Sequence, residues 1–320
     1  MDHVERFEIP TPFQIGKVNS YLITAGKPTL LDPGPSTTEA YGELTEQLDG
    51  AGYALEDIER VLITHPHMDH FGICHRIRAE SGAQIYCHED ARELLTDPDG
   101  CFEREQQFFV PFLQRMGVPE QSAESAISLP EPYTDFREAV TVYECLTDGD
   151  RLDVGLELDV VYTPGHSPGS VCYVDPAHDA AFTGDHIMND ISPNPLLTLV
   201  PGTTDERTRS LPMYLESLRR MKRVDATVAY GGHREPVSDL NARIDEIVDH
   251  HQERKQRIAT LIDEHGGLTA YEVMEAMFPD LPMTEIYPGM SEVIGHLDLL
   301  EDDGTIVRSE RDGVWYYELA

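Results

Sequence analysis

Hydrophobic and polar positions along the chain alternate between two periods, which excludes an all-helical or an all-strand protein. Short apolar runs predict strands at Val18–Thr24, Pro28–Asp32, Arg60–Thr64 and Gln84–His88. Further runs predict strands at Val140–Cys145, Leu156–Tyr162, Val171–Val174, Ala180–Phe182 and Thr227–Tyr230. Between them lie helical spacings. Ser36 and Glu39 read as a capping box opening a helix through Leu44 and Leu48, and a second helix is predicted near Gly72–Ala79. From about residue 91 to 136 the rhythm breaks into mainly helical patterns carrying Phe102, Phe108, Phe109, Phe112, Leu113 and Met116, with Pro111 and Pro119 as punctuation. This segment reads as a helical insertion, either a lid on a pocket or a layer packed on a sheet. Leu211, Leu215, Leu218 and Met221 mark one more helix.

After Pro236 the character changes. A long helix carries Leu240, Ile244, Ile247, Val248, Ile258, Leu261 and Ile262 and stops at Gly266-Gly267. Thr269 opens a second helix, and Ser291 a third with Val293, Ile294, Leu297 and Leu300. Ile306-Val307 and Val314–Tyr317 form a hairpin turning at Asp312-Gly313. The reading is therefore a catalytic domain over 1–237, with its insertion at 91–136, followed by a winged-helix-like domain over 238–320.

Composition changes this picture in two ways. The 320 residues hold 24 Lys and Arg against 59 Asp and Glu, a formal charge of −35. Such a charge keeps a chain soluble but makes its folded state repel itself. Salt screens that repulsion, with a Debye length of about 3 Å at 1 M. The balance suits a halophilic protein in a salt-rich cytoplasm, whose melting temperature rises with KCl. The five cysteines, Cys74, Cys87, Cys101, Cys145 and Cys172, contain no C-x-x-C pair. They read as small core residues in a reducing compartment. No run is long and apolar enough to span a membrane, and the first residues carry no secretory pattern. Cytoplasmic location is the expectation.

The most informative stretch is Thr64-His65-Pro66-His67-Met68-Asp69-His70, which follows the apolar Val61-Leu62-Ile63. Extended chain sends alternate side chains to one side, so His65 and His67 can face one metal ion. The chain then turns and directs Asp69 and His70 to a second position. Imidazole nitrogen and carboxylate oxygen suit zinc and similar cations.

This stretch resembles the H-x-H-x-D-H motif of the metallo-β-lactamase superfamily, and further motifs follow in that family's order over about residues 7–237. Thr163-Pro164-Gly165-His166 is similar to its histidine loop, Phe182-Thr183-Gly184-Asp185 to its strand-end bridging aspartate, and Gly232-His233 to its last ligand. Asp32-Pro33-Gly34 is similar to its early strand-to-turn aspartate. The resemblance implies an α+β fold, a four-layer αββα sandwich with loops at one edge supplying the ligands. It implies two Zn2+ (Fe or Mn also fit), the first on His65, His67 and His166, the second on Asp69, His70 and His233, with Asp185 bridging. It also implies a metal-dependent hydrolase in which a bridging hydroxide attacks a small ester or thioester, with Asp69 orienting that hydroxide. Asp69 stands where many true β-lactamases carry cysteine, so antibiotic cleavage is not the expectation. His186 is read as a residue behind the ligands or as a core histidine.

Three rival readings compete with this one. Gly165-His166-Ser167-Pro168-Gly169 fits G-x-S-x-G, but a nucleophile elbow needs a helix after it, and Ser170–Val174 reads as a strand. A single-strand endoribonuclease or phosphodiesterase is the principal alternative, because the C-terminal layout resembles a lactamase-like winged-helix subfamily. Nucleic acid is disfavoured as a partner, because the third helix carries Glu292, Asp298, Glu301 and Asp302 where phosphate would need basic residues. A packing or homodimerisation module is the better reading. An iron-dependent dioxygenase is a third option, set against the complete second ligand set. Asp190–Arg207, proline-rich and close after Asp185, reads as a pocket wall or a surface loop.

Overall fold

The computed structural model describes residues 3–128, 136 and 138–320. Residues 129–135, the end of the expected helical insertion, lie outside the described residues. Internal contacts divide the chain into two units. Unit 1 comprises Met1–Pro98, Pro130–Pro193 and Ser217–Ile244, and unit 2 comprises Asp99–Leu129, Asn194–Glu216 and Asp245–Ala320. The sequence reading cut the chain once, at residue 237. The units are discontinuous because the segments 99–129 and 194–216 bury their apolar side chains with the C-terminal helices.

Unit 1 holds two sheets. The first runs β1 (Val4–Ile9), β2 (Val18–Ile23), β3 (Thr29–Leu31), β4 (Arg60–Leu62), β5 (Gln84–His88) and β6 (Glu144–Leu146), in that spatial order. β1, β2 and β3 pair antiparallel, and β3 to β6 pair parallel. The second sheet contains β7 (Arg151–Asp153), β8 (Glu157–Tyr162), β9 (Val171–Asp175), β10 (Ala180–Gly184) and β11 (Val228–Gly231), with β10 and β11 parallel. Tyr21, Ile23, Leu31, Leu62, Tyr86 and Leu146 from the first sheet meet Leu158, Val160, Val171, Tyr173 and Phe182 from the second in one core. The alternate side chains Leu22, Leu30, Val61, Ile85 and Cys87 face the other way, onto helices Thr38–Gly50 and Cys74–Ser81. That alternation is why β2 is buried along its whole length. The arrangement is the expected αββα sandwich.

Some boundaries differ from expectation. Thr37, not Ser36, caps the first helix: its hydroxyl accepts from the Ala40 N–H. β1 and β7 had no clear sequence signal, since β1 breaks alternation at Glu5-Arg6 and β7 is only three residues long.

Unit 2 is built from the helices Pro98–Arg115 (from Asp99), Glu120–Ile127, Leu240–His265 (from Asp245), Ala270–Met277 and Ile286–Asp302, and from a hairpin of β12 (Ile306–Arg311) and β13 (Val314–Leu319). Thr269 and Glu272 form a reciprocal capping box. Asp312 and Gly313 both adopt positive φ, 52° and 80°, which a two-residue hairpin turn requires. Phe109, Leu113, Met116, Ile258, Ile262, Met290, Val293, Leu297 and Tyr317 form its core. The third helix starts at Ile286, not Ser291. Two of its acids, Glu292 and Asp298, are buried. Asp298 accepts both nitrogens of the Arg207 fork at 2.8 and 2.6 Å, and Glu292 accepts from Arg254 at 2.5 Å.

Glu292 also sits among two buried histidines. The His296 Nδ1–H donates to the Glu292 carbonyl at 2.7 Å, and His251 lies 3.4 Å from His296. Arg254 already supplies a cation to this carboxylate. Burial pushes His251 down to about 4, with His296, His250 and Arg254 acting the same way and Glu292 opposing. An unfolded histidine takes its proton near pH 6.5. The folded state therefore refuses a proton that the unfolded state binds, and stability present above pH 6.5 is lost as pH falls toward 4. Over that window the His251→Asn variant should lose less stability than the wild type, by up to about 1.4 kcal/mol per pH unit for one proton. Urea melts at pH 7.5 and pH 5 compare the two. Equal losses would contradict the assignment.

The five cysteines are free thiols, and no helix among the described residues is long and apolar enough to cross a membrane.

Candidate metal centre

All seven candidate ligands lie in unit 1, each on a loop that leaves the end of a strand. β4 delivers Thr64-His65-Pro66-His67, after which the short helix Met68–Phe71 turns Asp69 and His70 inward. The β8–β9 loop carries His166, the end of β10 carries Asp185, and the end of β11 carries His233. These positions are up to 168 residues apart in sequence and converge because the parallel strands β3, β4 and β5, and β10 and β11, all end on the same side of their sheets.

The donors form two groups. His65 Nε2 and His166 Nε2 each lie 3.0 Å from His67 Nδ1. Asp185 Oδ2 lies 4.0 Å from His65 Nε2 and 3.7 Å from His166 Nε2. In the second group His233 Nε2 is 3.4 Å from Asp69 Oδ2, and His70 Nε2 is 4.0 Å from the same oxygen. Asp185 reaches this group too: Oδ1 is 3.4 Å from His70 Nε2 and Oδ2 is 3.6 Å from His233 Nε2. With bonds of about 2.0–2.1 Å, ligand atoms on a tetrahedral zinc stand about 3.3 Å apart. The two groups bracket that spacing.

A metal is also demanded by what these atoms lack. Among the described residues His70 Nε2, His233 Nε2 and Asp185 Oδ1 are buried and have no hydrogen-bond partner. Buried polar atoms are normally paired, so donors converging on one space with nothing to bind fit cation ligands. Electrostatics agree. Burial holds His65 well below the usual histidine range and pushes His67 down to about 3, so both imidazoles are neutral and offer lone pairs. Burial alone would raise Asp185 and Asp69, but neighbouring imidazoles outweigh it and keep both carboxyls ionised. Burial would lower His70 and His233, yet the carboxylates facing them reverse the sign. The second group therefore calls for positive charge, and divalent cations supply it.

Two of the histidine ligands, His70 and His233, are oriented from behind. Asp32, at the end of β3, accepts from the Thr64 N–H at 2.8 Å, the Thr64 hydroxyl at 2.6 Å and His70 Nδ1 at 2.9 Å. The His70 proton is thereby held on Nδ1, leaving Nε2 for a metal. Asp32 sits at φ 50°, a conformation that aspartate tolerates better than most residues. His233 Nδ1 donates to the Lys17 carbonyl at 2.7 Å. Two core phenols pin the strand ends that precede ligands: Tyr173 donates to the Ile63 carbonyl at 2.9 Å and Tyr21 to the Gly231 carbonyl at 2.7 Å. The sequence pointed to Asp32 but not to Thr64, Lys17, Tyr21 or Tyr173. Tyr21 and Tyr173 bond backbone carbonyls, Thr64 bonds Asp32, and the Lys17 carbonyl meets the His233 ring; the fold brings these partners together, and no local pattern carries that signal.

Two residues singled out in the sequence stand aside from the ligand groups. His186 is buried and pushed down to about 3 by burial and by His166. Ser167 is buried with its hydroxyl 2.9 Å from that of Ser170, and the following residues form β9. It has neither a helix after it nor a base, so it is no nucleophile.

Comparison with known proteins agrees with this geometry. The sequence profile of the metallo-beta-lactamase superfamily matches residues 14–233. The chain is 30% identical over 318 residues to the probable metallo-hydrolase YqjP of Bacillus subtilis, covering 99% of this chain and 98% of that protein. It is 24% identical over 285 residues to the atrochrysone carboxyl ACP thioesterase of Aspergillus fumigatus, covering 85% of this chain and 72% of that protein. Among solved structures it resembles a metallo-beta-lactamase family protein of Thermus thermophilus with a TM-score of 0.84 at 27% identity, covering 100% of this chain and 99% of that one.

Proposed function

The chain belongs to the metallo-beta-lactamase superfamily, and from that premise we propose that it hydrolyses a small ester or thioester at two metal ions held by these seven side chains. The observation that carries the reading is the placement of Asp185, within 4.0 Å of donors from both groups. His65, His67 and His166 hold one ion, Asp69, His70 and His233 the other, and Asp185 spans both. The donor set of imidazoles and carboxylates takes zinc, and iron or manganese as well. Such ions polarise a substrate carbonyl and bring the pKa of water down to about 7.

The chain's own residues do the remainder. His65 and His67 stay neutral and hold the first position without competing for protons. Asp69 is ionised, and its Oδ2 faces the second group, where it orients the attacking oxygen toward the carbonyl. Asp32 and the Lys17 carbonyl lock the tautomers of His70 and His233. No side-chain nucleophile takes part. The thioesterase among the relatives supports a thioester as the substrate. The helices Ala270–Met277 and Ile286–Asp302 with their hairpin are winged-helix-like in order, and we read them as a packing or dimerisation module. The charge of −35 supports a halophilic cytoplasm as the setting.

The reading is tested by thiol release from a panel of acyl thioesters, using zinc-loaded protein in molar KCl with His65→Ala as the blank. Release by the wild type alone is the expected outcome. A folded, metal-loaded wild type that releases nothing across the panel contradicts the substrate class, and single-stranded RNA becomes the substrate to try.

A further inference from the structure

Two of the five cysteines face each other at the edge of the first sheet. Cys87 in β5 and Cys145 in β6 are direct partners in the parallel register. Tyr86 and Leu146 point into the core between the sheets, so the intervening Cys87 and Cys145 both point to the opposite, helix-covered face. They differ in exposure: Cys87 is buried, whereas Cys145 is half-buried on a three-residue strand at the sheet's edge. Neighbouring strands stand about 4.7–4.9 Å apart, within the Cα separations that a disulfide spans. A short edge strand paired on one side can also shift by the fraction of an ångström that closure requires.

We propose that Cys87 and Cys145 form a reversible redox pair, closed by peroxide to a cross-strand disulfide that staples the base of the excursion leading into unit 2. The chain leaves unit 1 after Pro98 and returns at Pro130, and the two cysteines bracket that excursion in sequence, 58 positions apart. Cys145, the reachable thiol, takes the oxidant first. Its sulfur attacks one peroxide oxygen, the O–O bond breaks, and a sulfenic acid and water result, the sulfur giving up two electrons. The Cys87 sulfur then attacks the Cys145 sulfur. The S–O bond breaks, and the oxygen leaves as a second water carrying the Cys87 proton. A thiol reductant reverses the step by exchange. Cys74, Cys101 and Cys172 are all buried and take no part.

The test uses the full-length metal-loaded protein treated with hydrogen peroxide, then denatured for thiol counting and peptide mapping. Five thiols fall to three, one cross-linked peptide joins Cys87 to Cys145, and dithiothreitol restores five. Cys87→Ser and Cys145→Ser each form no cross-link, and the Cys87→Ser chain accumulates the sulfenic or sulfinic form at Cys145. Retention of five thiols at peroxide doses that oxidise free cysteine overturns the proposal. So does a cross-link through Cys74, or wild-type Cys145 oxidised to sulfinate with Cys87 still free.

Discussion

Asp185→Asn should abolish hydrolysis while leaving a folded protein. The substitution keeps the shape of the side chain and removes its charge, so folding contacts in the surrounding core change little. The metal centre changes a great deal. Asp185 carries a negative charge close to both groups of donors, with one oxygen 3.4 Å from His70 Nε2 and the other 3.7 Å from His166 Nε2. An amide offers a single neutral oxygen and cannot span two cations. Loss of one electrostatic stabiliser in a water-poor site typically costs about 10²–10³-fold in rate. Here affinity for both ions falls as well, so activity should drop by at least that factor at fixed metal concentration. Turnover against the best thioester, with circular dichroism as the folding control, checks this. A variant with full turnover would mean that Asp185 plays no part in the reaction.

Gly232→Ala should weaken the metal centre through a single methyl group. A Cβ built there would clash with Asp185 Oδ1 and stand 2.7 Å from the His70 ring. Both atoms belong to groups proposed as ligands, so relief of the clash must displace at least one of them. The backbone offers little room, because the Gly232 N–H donates to the Gly184 carbonyl at 2.8 Å and its carbonyl accepts from the Asn19 N–H at 2.6 Å. Overpacking of this kind costs about 1–3 kcal/mol of stability. The larger effect is on the ions. Disturbing the support of a ligand typically lowers metal affinity about 10–100-fold, and the second position, built on His70, should suffer more than the first. Chelator competition separates the two affinities. Unchanged affinity at both positions would show that the loop yields without moving Asp185 or His70.

The candidate site was legible in the sequence because its residues are local in pattern. Three histidines and an aspartate lie within six residues after an apolar strand, and the distant His166, Asp185 and His233 each follow a strand and a turn. The apparatus behind the ligands was not legible. Thr64, Tyr21, Tyr173 and the Lys17 carbonyl act on backbone atoms or neighbouring rings that only sheet pairing brings near. The division into units was missed for a similar reason. Phe109, Leu113 and Met116 have a helical period that says they are buried but not against what. Their partners, Ile258, Met290 and Tyr317, lie some 140–200 residues later. The facing of Cys87 and Cys145 is of the same kind, since strand order is not written in either strand. Glu292 and Asp298 illustrate the opposite error. Acidic residues on a helix suggest a solvated face, but Arg254 and Arg207 neutralise them inside the unit.

The central claim is that seven side chains hold two metal ions, and the most direct test is to count them. Native mass spectrometry of protein loaded with zinc and freed of excess should give two ions per chain for the wild type. His65→Ala should retain one at most, and Asp185→Asn fewer than two. A wild type that holds no ion, or a His65→Ala chain that still holds two, would contradict the account.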